Sequence, residues 1–205
     1  MSLTYGVAAL ARPTFDVPFA EDMKNRAFAA LEAAGIRTVG PRELLFDRDA
    51  AEKAVAEIKA AGPIDLLLIL QVTFTDATMT VKLAKEATTP IAIWAVPEPR
   101  IGGRLRLNAY CGLNLAAHAL GRAGVPHGWL YAAPDAPGLA ASLRELAQPA
   151  TPRPSRARPV PAAEYAQADR VIDSLRGAKI TVVGKHPDGF DTCEYDENLL
   201  FKLAG

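Results

Sequence analysis

Blocks of apolar residues alternate with blocks in which apolar positions recur every three or four residues, and this alternation runs to about residue 148. TYGVAAL reads as a strand. In EDMKNRAFAALEAAG, Met23, Ala27, Ala30, Leu31 and Ala34 share one helical face, and Gly35 is placed to end the helix. A short strand, IRTVG, precedes DAAEKAVAEIKAAG, whose Ala51, Val55, Ile58 and Ala61 form a second apolar face. DLLLILQV is apolar on both faces, the pattern of a central parallel strand. TDATMTVKLAKEA predicts a helix with Thr75 or Asp76 at its N-cap. PIAIWAVP and HGWLYAAP predict two more strands, with helices NAYCGLNLAAHALGRAG and GLAASLRELA after them. Five strand–helix units in succession predict an α/β fold: an open, doubly wound parallel sheet of Rossmann-like or flavodoxin-like three-layer form, with right-handed crossovers.

The pattern breaks after residue 148. QPATPRPSRARPVPAAEY carries five prolines and three arginines with no apolar period, which predicts an extended linker, because proline removes backbone donors and fixes φ. A helix from Ala162 to Leu175 is expected next, then a strand over Lys179–Val183, a polar turn and the start of another helix. The expected organisation is an N-terminal α/β domain (1–148), a Pro-rich linker (149–161) and the beginning of a second α/β domain (162–205). That last piece has too few elements to bury a core of its own.

Composition narrows the classes. Half of the 205 residues are hydrophobic, enough for a core, and 23 basic residues balance 23 acidic ones. No bulk field therefore recruits nucleic acid or an anionic membrane. Two cysteines suit a reducing compartment, no stretch reaches the roughly 18 apolar residues of a membrane span, and the N-terminus lacks the pattern of a signal peptide; a cytoplasmic protein is expected.

In open parallel sheets ligands bind beyond the carboxyl ends of the strands. That rule selects ARPTFD with Arg12, QVTFTDAT with Phe74, PEPRIGGRLRLN with Glu98 and three arginines, and GKHPDGFD near the C-terminus. Arginines, hydroxyls and an aromatic ring suit a polyhydroxylated or anionic small molecule. Each has a plainer reading: Arg12 bonding carbonyls at a strand end, Phe74 anchoring its loop, the arginines forming a solvated face. His118, one turn after Asn114, could equally satisfy a core or interface hydrogen bond. Neither a GxGxxG nor a GxxxxGK[ST] motif is present, so dinucleotide and P-loop readings are weak. The acids around His186 and Cys193 fit no zinc or calcium loop, and a helix N-terminus accounts for them.

Four blocks in order carry a resemblance. ARPTFD resembles the R-P-[TV]-[IF]-D block of the L-fucose isomerases. DLLLILQVTFTDATM and GLNLAAHAL resemble the T-F-[ST]-x-A-x-M strand block and the N-L-N-Q-x-A-H helix of the L-arabinose isomerases. VVGKHPDGFDTCEYDENLLFKLAG resembles the opening of the family's second domain. The chain is thus similar to the N-terminal half of the L-fucose/L-arabinose isomerase family.

The resemblance implies an aldose–ketose isomerase working through an enediol. A divalent metal, commonly Mn2+, would bind the sugar and a carboxylate would move the proton, with those ligands and catalytic groups lying outside these residues. Taken alone, the chain is expected to be inactive. The resemblance also implies a homo-oligomer, a trimer or hexamer, in which the first domain of one subunit covers its neighbour's site. Arg12, Phe74 and His118 match substrate-facing positions of the family, Asn114 would support His118, and Trp94 is a weaker candidate for a wall stacked on sugar carbons. Leu115 stands where the arabinose isomerases place a substrate-facing glutamine, which argues against arabinose and leaves the sugar unassigned. The alternative is a non-catalytic sugar-binding or oligomerisation module of the same fold.

Overall fold

A computed structural model describes residues 3–148, 159 and 161–204; the expected linker falls almost wholly outside the described residues. Residues are grouped by contact into two units: 1–150 with 188–192, and 151–187 with 193–205.

The first unit follows the expected element order: β1 (Thr4–Leu10), α1 (Val17–Ala33), β2 (Arg37–Val39), α2 (Arg48–Ala60), β3 (Leu66–Gln71), α3 (Thr78–Glu86), β4 (Ile91–Ala95), α4 (Ala109–Arg122), β5 (His127–Tyr131) and α5 (Leu139–Glu145). The five strands form one parallel sheet in the order β2-β1-β3-β4-β5. Helices α1 and α5 pack together, as do α2 with α3 and α3 with α4, giving two helical layers around the sheet. This is the doubly wound fold that the alternation of periods predicts.

Burial explains the order. Every residue of β1, β3 and β4 is buried, whereas β2 and β5 at the edges are half-exposed. The α1 face holds as read for Met23, Ala27, Leu31 and Ala34, all buried. Helix α1 starts earlier than its period suggests, because Asp16 accepts a hydrogen bond from the Phe19 N–H at 3.1 Å and Pro18 sits in the first turn. In α2, Ala54 is buried alongside Ala51 and Ile58, while Ala61 lies outside the helix and is exposed.

The second unit contains α6 (Ala162–Leu175), as predicted, and α7 (Glu197–Ala204). A short 3-10 turn spans Asp191–Cys193. The expected strand over Lys179–Val183 is a correction: these residues are irregular, with Ile180 83% and Val183 93% exposed. An apolar run becomes a strand only when a neighbour accepts its hydrogen bonds, and none of the described strands pairs with it.

Candidate functional site

The chain passes from β1 out to β2, returns to β3 and continues to β4 and β5, so the order reverses between β1 and β3. Such a switch point opens a crevice beyond the strands' carboxyl ends. Registers Leu10↔Gln71 and Gln71↔Ala95 bring the ends of β1, β3 and β4 level there.

Three loops are stitched together at that edge. The Arg12 N–H donates to Thr73 Oγ1 at 2.8 Å, joining the β1 and β3 loops. The Phe74 N–H donates to the Leu107 carbonyl at 2.7 Å, and the Asp16 N–H to the Arg106 carbonyl at 3.0 Å, joining both to the β4–α4 loop. Buried Gln71 braces the β3 loop from below: its amide donates to the Thr73 carbonyl at 2.6 Å and to Thr75 Oγ1 at 3.0 Å, and its Oε1 has no protein partner.

The β4–α4 loop, read from sequence as an arginine-rich rim, is organised by a carboxylate. Glu98 accepts hydrogen bonds from the backbone N–H groups of Arg106, Leu107 (3.0 Å) and Asn108 (2.6 Å). These lie just before α4, whose N-cap Asn108 has left-handed backbone (φ 52°) and no side-chain cap. Arg106 is a tie within the fold, ion-paired with Asp16 at 2.8 Å and stacked over the Phe19 ring at 3.8 Å. The Phe19 amide and then the Arg106 guanidinium hold the Asp16 carboxyl below the usual carboxylate range. Arg104 donates to the Thr14 carbonyl at 2.8 Å. Arg100 stays exposed.

Phe74 is half-buried at the centre of an aromatic row, with ring centroids 6.2 Å from Phe15 and 5.8 Å from Phe190. Behind it lie Ala77, Leu115 and Ala119. Arg12 is partly exposed beside this row, while Asn114 and His118 are exposed on α4, the helix that buries Leu115. Arg12 and Phe74 thus stand on loops joined by the Thr73 bond, while Asn114 and His118 belong to α4, whose Leu115 and Ala119 pack in the cluster with Phe74. Trp94 is a correction: the ring is fully buried and donates from Nε1 to the Ala132 carbonyl at 2.9 Å, so it has no open face for a sugar. Strand β4 is central, and both of its faces belong to the core.

Sequence reasoning missed Phe190 and the anchoring role of Glu98. The first lies more than a hundred residues from Phe74. The second could have been suspected from a lone acid among arginines in a loop ahead of an uncapped helix.

Cavities lie at both ends of the sheet's helical layer, among the described residues. One of about 300 Å³, lined by Val55, Ile58, Pro63, Ile64 and Leu83, lies at the opposite end of the strands from the loops. The other, about 240 Å³, lies on the loop side between α2 and α3 and is lined by Arg48, Thr78, Lys82, Lys85 and Gly189; Glu52 pairs with Lys82 at 3.0 Å. Among the described residues no three His, Cys, Asp or Glu side chains converge as a metal-binding group. No described helix is long and apolar enough to cross a membrane.

The fold and its stitched loops define a doubly wound α/β domain presenting a polar and aromatic rim at its switch point. The family model described as the N-terminal domain of fucose/sulfoquinovose isomerases matches residues 6–151. The chain belongs to this family. It is 28% identical over 197 residues to the sulfoquinovose isomerase of Priestia megaterium (strain ATCC 12872 / QMB1551), covering 96% of this chain and 40% of that protein. To that of Alkalicoccus urumqiensis it is 26% identical over 206 residues, 99% of this chain and 41% of the relative. The Clostridium sp. (strain MSTE9) enzyme of the same name is 24% identical over 180 residues. The chain therefore spans about 40% of the length of the curated relatives it matches.

Proposed function

We propose that this chain is the N-terminal part of an aldose–ketose isomerase, with a sulfonated aldose such as sulfoquinovose as the first substrate to test. The observation that carries this reading is the alignment of 96% of the chain with a protein named sulfoquinovose isomerase, together with the family match. An anionic sugar suits a rim that offers Arg12 beside an aromatic row.

The role of these residues is to bind and orient. Arg12 donates to a sugar oxygen, the Phe74 ring covers a C–H face, and His118, supported by Asn114, hydrogen-bonds the distal end. Enediol chemistry needs a base that moves a proton between adjacent carbons, and that base belongs to the part of the protein beyond this chain. A divalent metal, Mn2+ in the first instance, would be held by that same part and would supply Lewis-acid chemistry there. The same reading carries a cytoplasmic homo-oligomer, a trimer or hexamer.

The test uses the full-length protein with sulfoquinovose, L-fucose and L-arabinose, following ketose signals by NMR. Turnover of the sulfonated aldose is expected. Arg12→Ala and His118→Ala should each raise KM about 10-fold, the scale of one polar contact to a charged group, with metal content unchanged. Conversion of none of the sugars overturns the isomerase reading, and tight sugar binding without conversion favours the binding module.

A further inference from the structure

The segment Asp188–Thr192 lies far along the chain from the sheet, yet it belongs to the first unit. Three observations place it on the rim. The Ala77 N–H, at the N-cap of α3, donates to the Gly189 carbonyl at 3.1 Å, beside the Thr78 N–H that Asp76 Oδ1 accepts at 3.0 Å. Gly189 has φ +79°, and a Cβ there would lie 2.9 Å from Thr78 Cγ2 and 3.0 Å from the Asp76 side chain. Only glycine takes that backbone at so close an approach without strain. Phe190 is half-buried, its ring 5.8 Å from that of Phe74, in one cluster with Ala77, Leu115 and Ala119.

A ring at a loop tip has two χ angles free unless something packs against it on each side. The Phe74 ring has two aromatic neighbours, Phe15 and Phe190, and its own backbone is tied to Leu107. We infer that residues 188–192 act as a strap that fixes the orientation of Phe74, with Phe190 as a positioning residue for the aromatic wall of the sugar site. The consequence for binding rests on the isomerase reading; the strap itself does not. Its chemistry is that of an apolar wall: it favours a sugar that turns a C–H face, rather than a row of hydroxyls, towards α3 and α4.

The experiment uses the full-length protein and has two arms. In the first, hydrogen exchange is followed at the Ala77 amide. Protection in the wild type is expected, with exchange about 10-fold or more faster in Gly189→Ala, as for a local opening. In the second, kcat and KM are measured for whichever aldose is converted. Phe190→Ala should raise KM about 5- to 10-fold with kcat within about twofold, the scale of one aromatic contact, and Phe190→Leu should restore most of the loss. An Ala77 amide that exchanges freely in the wild type overturns the strap. A KM indifferent to Phe190→Ala overturns the positioning role. Absence of any sugar conversion sinks the isomerase reading alone, and the Ala77 measurement still decides the strap.

Discussion

At the scale of single residues, Glu98 shows how one side chain can set the shape of a site it does not line. Its carboxylate collects the N–H groups of residues 106, 107 and 108, and the carbonyls of residues 106 and 107 in turn hold the backbones of Asp16 and Phe74. Glu98→Gln keeps the size but turns an amide NH2 towards backbone donors. Loss of a charge-assisted bond of this kind costs about 1–3 kcal/mol, so the urea midpoint should fall accordingly. A midpoint equal to wild type would mean that the loop is held by other contacts. The sequence named this loop and its residues, but their roles were distributed differently. Arginines in a glycine-rich loop read either as ligand donors or as a solvated face; Arg106 and Arg104 instead turn back onto Asp16 and the Thr14 carbonyl. Trp94 was misplaced for a related reason. The resemblance offered it as a candidate wall, but β4 is paired on both sides and both of its faces are covered, so neither offers a wet wall.

At the scale of elements, the helices of the first unit were legible because each buries a periodic face, and the inner strands because they are continuous apolar runs alternating with those helices. The strand expected over Lys179–Val183 failed because its criterion was composition alone; an apolar run gives no information about whether a partner strand stands beside it. What the one-dimensional pattern hides most is close approach. Helix α4 comes down on the end of β3 at Gly112, where an added Cβ would lie 2.9 Å from Gln71 Nε2 and 3.0 Å from its carboxamide carbon. Gln71 cannot give way freely, since its amide already holds Thr73 and Thr75. Gly112→Ala should therefore destabilise by about 1–3 kcal/mol through overpacking, and the β3 loop that carries Phe74 should loosen with it. Thermal denaturation reads the first effect and hydrogen exchange over residues 72–77 the second. A stable variant with an unchanged loop would show that α4 can shift outward at no cost.

At the scale of the whole molecule, one buried hydroxyl ties the first strand to the last helix of the sheet domain. Tyr5 in β1 is fully buried, and its hydroxyl donates to the Leu143 carbonyl in α5 at 2.6 Å. Burial first, and then the nearby Asp65 carboxylate, push its pKa up to about 12, against a smaller opposing effect of Arg144. In the unfolded chain the phenol titrates near 10. Below pH 10 both states keep the proton and this group adds no pH dependence. Between pH 10 and 12 the unfolded state loses its proton first, so the folded state binds more protons and stability falls as pH rises. Two pKa units correspond to about 2–3 kcal/mol over that window. Tyr5→Phe removes the titrating group and its hydrogen bond together, and leaves the Leu143 carbonyl unpaired. The variant should be less stable than wild type by about 1 kcal/mol at pH 8. Its stability should then decline less steeply above pH 10, so that the two curves converge. Urea midpoints measured from pH 8 to pH 11.5 test this directly: parallel curves would mean that the alkaline loss arises elsewhere and that Tyr5 opens to solvent before the fold does.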